Sequence, residues 1–326
     1  MRNVLFLSLM ITFLFVHEVH ASSESLLHEQ NSSQKIASLQ QKQWIHGAEN
    51  CKANEDEAIE VYKYDESSYI LRQNKCLSYE APFIYVLIGD EKILVVDTGA
   101  TESPKKFPLY QTIKSLSLEH LSESKTDEHE IVVIHSHSHS DHYGGDSQFL
   151  NQPNTTVVSA NSDGVRGFFN FNAWPTEQTI LDLGGRNITV IPTPGHQEEA
   201  ISLYDHQTQW LITGDTLYPG VIYIKDWSEY KNSIARLAAF AESNTVSAIL
   251  GAHIEMKTEP GEYYDIGSTY QPEESPLPLL ASDLLSLNTK LILAKKPTKI
   301  VLDGMIVEPL GALPKLISNI ARWFIQ

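Results

Sequence analysis

The stretch IVVIHSHSHSDHYGG, Ile131 to Gly145, constrains this chain more than any other. Its Ile and Val run reads as a short buried strand, which feeds histidines and an aspartate into a turn at Tyr143-Gly144-Gly145. Residues two apart in an extended segment point to the same side, so His137 and His139 can converge on one position. Asp141 and His142 follow as the chain turns, presenting a hard oxygen and another imidazole to a neighbouring position. Residues this close in sequence cannot wrap a single tetrahedral ion without strain. The pattern suits two adjacent cations, each completed from elsewhere in the chain. Neutral imidazole and carboxylate donors suit zinc best, with manganese and iron also compatible.

The missing donors are expected at the ends of apolar strands, and three segments offer them. VIPTPGHQEE delivers His196 after a Pro-Gly turn, WLITGDTLYPG delivers Asp215, and VSAILGAHIE delivers His253. In each, an apolar run ends in a glycine just before the candidate donor, one residue earlier for His253. Taken singly, His253 reads equally well as a core histidine, and Asp215 before Thr216 as a helix N-cap.

Taken together, His137-Ser138-His139-Ser140-Asp141-His142, His196, Asp215 and His253 resemble the full ligand set of the metallo-β-lactamase-fold hydrolases. Asp97 in ILVVDTGA matches that family's first motif. The resemblance runs from Ala81 to His253 with every motif in order. It implies an α/β fold of the four-layer αββα type. It also implies that His137, His139 and His196 bind a first metal, that Asp141, His142 and His253 bind a second, and that Asp215 bridges them. Two Zn2+ ions (or Mn2+ or Fe) would then share a hydroxide nucleophile, with Asp141 as the catalytic residue that orients it and accepts its proton. His135 falls outside this frame and is expected to hydrogen-bond behind the site. Asp97 is expected to support the site through hydrogen bonds. His28, His46, His120, His129 and His206 have no such context and are expected at the surface.

Aspartate at position 215 is typical of glyoxalase II-like thioesterases, lactonases and phosphodiesterases, whereas the metallo-β-lactamases proper usually carry Cys or Ser there. The expectation is therefore a metal-dependent hydrolase of a small-molecule ester, thioester or lactone. Two alternatives stay open: a β-lactamase, and a mononuclear iron enzyme of the persulfide dioxygenase kind. The tail is short and not strongly basic, which argues against glutathione recognition. Phe168, Phe169, Phe171 and Trp174 either line an apolar pocket or pack a helix onto the core. Tyr218, Tyr223 and Lys225 follow Asp215 closely and are candidates for hydrogen-bonding a substrate.

The formal net charge of -17 disfavours nucleic acid and anionic membranes as partners. At the amino end, Arg2, the apolar run Val4 to Val16 and small residues at Val19 and Ala21 predict a secretory signal peptide over residues 1–21. The mature chain is thus expected in a periplasm or secreted, not membrane-bound after cleavage. The sequence sets no oligomeric state. In an oxidising compartment Cys51 and Cys76 are expected to pair, which the loop-entropy account values at about 3 kcal/mol.

Residues 22–43 read as a flexible leader. Residues 44–326 read as the hydrolase domain, with a C-terminal appendix from about residue 260. Within it, APFIYVLIGDEKILVVDTGA predicts a hairpin at Gly89-Asp90, and TKIVLDGMIVEP another at Asp303-Gly304. DWSEYKNSIARLAAFAES and SDLLSLNTKLILAKK predict amphipathic helices, the first capped by Asp226 or Ser228.

Overall fold

The computed structural model describes residues 33–121 and 128–311. The expected signal peptide and the first part of the leader lie outside these residues. The chain divides into two compact units, one ending at Lys42 and one running from Gln43. In the first, residues 33–40 form a helix, α1.

The second unit opens with β1 (Ile59–Asp65), β2 (Ser68–Gln73), β3 (Phe83–Ile88) and β4 (Lys92–Val96), each antiparallel to the one before. The β3–β4 hairpin turns where the sequence predicted. Helix α2 (Leu109–Leu121) then crosses to β5 (Glu130–Ile134), which pairs parallel with β4. After the one-turn helix α3 (Ser140–Tyr143), β6 (Thr155–Val157) completes this six-stranded sheet. All six residues of β3, FIYVLI, are buried. Covered on both faces, the strand reads as an unbroken apolar run instead of an alternating one.

Helix α4 (Ser162–Phe168) leads to the second six-stranded sheet. There β7 (Thr179–Asp182), β8 (Asn187–Pro192), β9 (Ile201–Asp205) and β10 (Trp210–Gly214) form an antiparallel run. A short strand, β11 (Val221–Ile224), and helix α5 (Trp227–Ser243) precede β12 (Ala248–Gly251), which pairs parallel with β10. The Asp226 side chain caps α5 by accepting from the amides of Ser228 and Glu229.

Beyond residue 260 the chain is woven back into the fold. β13 (Pro278–Leu279) joins β12, α6 (Ala281–Leu293) follows, and β14 (Ile300–Leu302) and β15 (Met305–Pro309) form the second predicted hairpin. β15 also pairs parallel with β11, making a third, three-stranded sheet.

Two apolar clusters define the outer layers. Leu109, Ile113 and Leu116 of α2 pack against Val86, Val95 and Val133 of the first sheet. Ile234 and Leu237 of α5, with Leu284 and Leu287 of α6, pack against Leu211 and Ile249 of the second. Each fully buried aliphatic side chain of this kind contributes roughly 1.5–3 kcal/mol. The two sheets meet between these layers, as where Tyr64 and Trp210 pack with tilted rings, centroids 4.6 Å apart, and the Phe83 amide donates to Ala252 O at 2.8 Å. The result is the four-layer αββα sandwich.

Cys51 and Cys76 are disulfide-bonded, tying the approach to β1 to the loop after β2. His129, expected at the surface, is instead buried, with Nδ1 3.2 Å from Ser117 Oγ of α2. A histidine just before a buried strand is carried inside with it; no local signal distinguishes it from a solvated one.

Candidate metal centre

The strands that carry the sequence motifs end on one edge of the sandwich. β4 delivers Asp97, β5 the run from His135 to His142, β8 the turn holding His196, β10 Asp215, and β12 His253. Close backbone approach brings them together. At Gly195, with φ of +143°, an added Cβ would lie 2.5 Å from Tyr230 Cα. At Gly214, with φ of +50°, it would lie 2.4 Å from Ser136 Cβ. Only glycine fits at either place, which explains the glycine that precedes each of these candidate donors in sequence.

Two groups of donors result: His137, His139, His196 and Asp215 in one, and Asp141, His142 and His253 in the other. In the first, His139 Nδ1 lies 3.0 Å from His137 Nε2 and 3.1 Å from His196 Nε2. Asp215 Oδ2 stands 3.6 Å from both of those Nε2 atoms. In the second, Asp141 Oδ2 is 3.2 Å from His142 Nε2 and 3.3 Å from His253 Nε2. Asp215 faces this group as well, with Oδ2 3.7 Å from His142 Nε2 and Oδ1 3.4 Å from His253 Nε2.

These separations suit cations. A tetrahedron with bonds of about 2.0–2.1 Å has edges of roughly 3.3–3.4 Å, and the observed spacings scatter around that value. His142 Nε2 and Asp215 Oδ1 are buried and make no hydrogen bond, a costly condition that a bound cation would relieve. The donor atoms are nitrogen and oxygen only, with no sulfur. The residues fit divalent metal.

Surrounding hydrogen bonds fix the rings. Asp97, in the left-handed region at φ of +69°, accepts from the Ser136 amide at 2.7 Å and faces His142 Nδ1 at 2.8 Å. It thus supports His142 from behind. His196 Nδ1 meets Tyr223 O at 2.7 Å, and His253 Nδ1 meets Glu80 O at 2.9 Å. In all three, the nitrogen not turned into the cluster is held by an oxygen, the arrangement that sets a ligand's tautomer. His135 belongs to neither group; its Nε2 lies 2.9 Å from Asp146 Oδ1.

Two partners had no signal of their own in the sequence. The Glu199 carboxylate accepts from the Ser138 amide at 3.1 Å, steadying the loop between His137 and His139. The carboxamide of Gln197 lies 2.6 Å from His139 Nε2 and accepts from Lys225 Nζ at 3.5 Å. Tyr218, a candidate substrate contact, is buried, and its hydroxyl donates to Val221 O at 2.8 Å. Of the aromatic run, Phe169 is buried in the core sense, whereas Phe168, Phe171 and Trp174 are half-buried.

Electrostatics divide the cluster. Burial pushes His137 far down and His139 to about 3, so both stay neutral and ready to donate a lone pair. Burial also disfavours a charge on His253, but Asp215 and Asp141 outweigh it and hold the ring up at about 9. Burial would raise the two carboxyls, yet the surrounding imidazoles keep Asp141 and Asp215 well below the usual range.

The metallo-beta-lactamase superfamily model matches residues 80–253, just over half of the sequence. The chain belongs to the metallo-beta-lactamase superfamily. An acyl-coenzyme A thioesterase (MBLAC2) of Bos taurus is 26% identical over 204 residues, covering 52% of this chain and 72% of that one. A hydroxyacylglutathione hydrolase of Prochlorococcus marinus is 26% identical over 144 residues, covering 42% of this chain and 51% of that one. Among solved structures, a metallo-beta-lactamase from Pontibacter korlensis aligns with a TM-score of 0.46 at 16% identity, covering 72% of this chain and 100% of that one. Membership and these relatives make the protein a metal-dependent hydrolase.

Proposed function

We propose that this protein is an exported dinuclear zinc hydrolase that cleaves a small-molecule thioester, ester or lactone. The observation that carries the reading is the carboxylate of Asp215 standing between two donor groups, within 3.7 Å of His137, His142, His196 and His253. His137, His139 and His196 would hold one cation, Asp141, His142 and His253 the other, and Asp215 both. Bound there, two divalent cations would acidify a shared water and polarise the carbonyl under attack.

The chain's own residues prepare that chemistry. Asp141, kept ionised by His142 and His253, is assigned to orient the water and take its proton. For His139 to offer Nδ1 to a cation, its Nε2 must keep a hydrogen and donate it. The carboxamide of Gln197, whose nitrogen faces His139 Nε2 here, must then rotate to present its oxygen, which gives up the 3.5 Å hydrogen bond that this oxygen accepts from Lys225. Thioesters come first because the relatives are named as an acyl-coenzyme A thioesterase and a hydroxyacylglutathione hydrolase. Export is supported by the sequence of residues 1–21 and by the disulfide, a bond suited to an oxidising compartment.

The reading is tested by hydrolysis of a panel of thioesters, esters and lactones, plus a chromogenic cephalosporin, with and without chelator. Chelator-sensitive turnover of one of the carbonyl panel is expected. Turnover of the cephalosporin alone would replace this reading with a β-lactamase.

Affinity for the second cation should depend on pH. His253 carries its proton below about 9, and a cation must displace it. Burial opposes a charge on His142 as well, but Asp141, Asp97 and Asp215 hold it well above its ordinary value. Occupancy of the second position should therefore weaken by more than tenfold per unit as pH falls below about 9. The first position, whose His139 loses its proton only near 3, should stay flat over the same range. Calorimetric titration with zinc between pH 6.5 and 9 checks this; parallel pH profiles for the two sites would contradict it.

A further inference from the structure

Beside the first donor group lies a cleft of about 440 Å³. It abuts the metal centre directly, because Gln197, which contacts His139, forms part of its wall, and Gly195 of the same wall precedes His196. The amides of Lys225 and Asp226 both donate to Gly195 O, at 3.0 and 2.8 Å, which fixes the other wall to the His196 turn.

The cleft has two chemical faces. Trp174, Pro175 and Pro194 supply an apolar surface. The indole of Trp174 is pinned from outside the cleft, with Arg166 over its ring at 5.0 Å and Phe171 edge-on at 5.4 Å. Against this surface stand three carboxylates, Glu198, Asp226 and Glu229, and a single ammonium, Lys225. Glu198 is held by Ser162 Oγ at 3.0 Å, and Asp226 by the start of α5. The balance is acidic in a protein whose net charge is already -17.

We propose that this cleft binds the apolar part of the substrate on Trp174, Pro175 and Pro194, and that its carboxylates select against polyanionic carriers. The preferred substrate class is an apolar acyl thioester or ester whose leaving group is neutral or cationic. A coenzyme A thioester, with three phosphate groups, meets like charge at the mouth of the cleft. Repulsion of that kind costs about tenfold in affinity at low salt and fades as salt screens it. This inference rests on the hydrolase reading above but is tested apart from it.

The test is calorimetric binding of two thioethers that cannot be hydrolysed, S-octyl-N-acetylcysteamine and S-octyl-coenzyme A, to the zinc-loaded full chain. The neutral thioether should bind at least tenfold more tightly at low salt, with the gap narrowing at high salt. Trp174→Ala should weaken the neutral ligand about tenfold. Glu198→Gln with Glu229→Gln, which leaves the apolar packing alone, should narrow the gap between ligands. Equal or tighter binding of the coenzyme A thioether overturns the proposal, as does no binding of the neutral one. Matched octanoyl thioesters read turnover separately. Binding in the expected order without any hydrolysis would sink the thioesterase reading and leave the cleft assignment standing.

Discussion

Asp215→Ala is expected to release both cations and to cut hydrolysis on the order of a thousandfold or more. Among the described residues, Asp215 is the carboxylate that faces both donor groups. Oδ2 lies 3.6 Å from His137 and His196 and 3.7 Å from His142, while Oδ1 lies 3.4 Å from His253. Its removal takes one anionic donor from each position and leaves the imidazoles with less negative charge to balance metal. A change at His196 should instead strip the first position before the second. Asp215→Asn serves as the control for packing, because it preserves shape while removing the charge. Metal content after dialysis, measured beside the thioester rate, decides the matter. An Asp215→Ala protein that keeps two equivalents of zinc would rule out the bridging role.

Much of this centre was legible in the sequence because its chemistry is local. His196, Asp215 and His253 each follow an apolar run that ends in glycine, and for the first two the structure shows why: a Cβ at Gly195 or Gly214 would strike Tyr230 or Ser136. The frame of the histidine repeat was legible too, since Asp141 and His142 end it and leave His135 to pair with Asp146. What was not legible depends on distant partners. Gln197 and Glu199 sit in the run HQEE, and nothing in that run reveals that one faces His139 and the other Ser138. The pairing of β11 with β15, Val221 beside Ile306, joins segments too far apart in sequence for any turn signal. The aromatic run divided between both readings offered for it, with Phe169 in the core and Trp174 on the cleft.

At the opposite end of the sandwich, Arg186→Met should destabilise the protein by about 3–5 kcal/mol while leaving metal affinity unchanged. Arg186 lies in the turn between β7 and β8, and its side chain crosses to the first sheet. Nη1 donates to Ser67 O at 2.7 Å and to Ile88 O at 3.1 Å, and Nη2 to Ser68 Oγ at 2.8 Å. The same guanidinium grips Asp205 with Nε at 3.0 Å and Nη2 at 2.6 Å. Both members are buried. Loss of the cation strands a carboxylate that burial would raise and that Arg186, with help from Thr208, holds down. The wild-type contribution is present above the ordinary carboxylate range and is lost as pH falls through the depressed value. In the variant the stranded carboxylate, raised by burial, should instead be a cost at neutral pH, part of which is recovered as Asp205 takes up a proton toward pH 5. Urea unfolding at pH 7 and pH 5 reads both effects. A cost below about 1 kcal/mol would mean that this clamp does not hold the two sheets together.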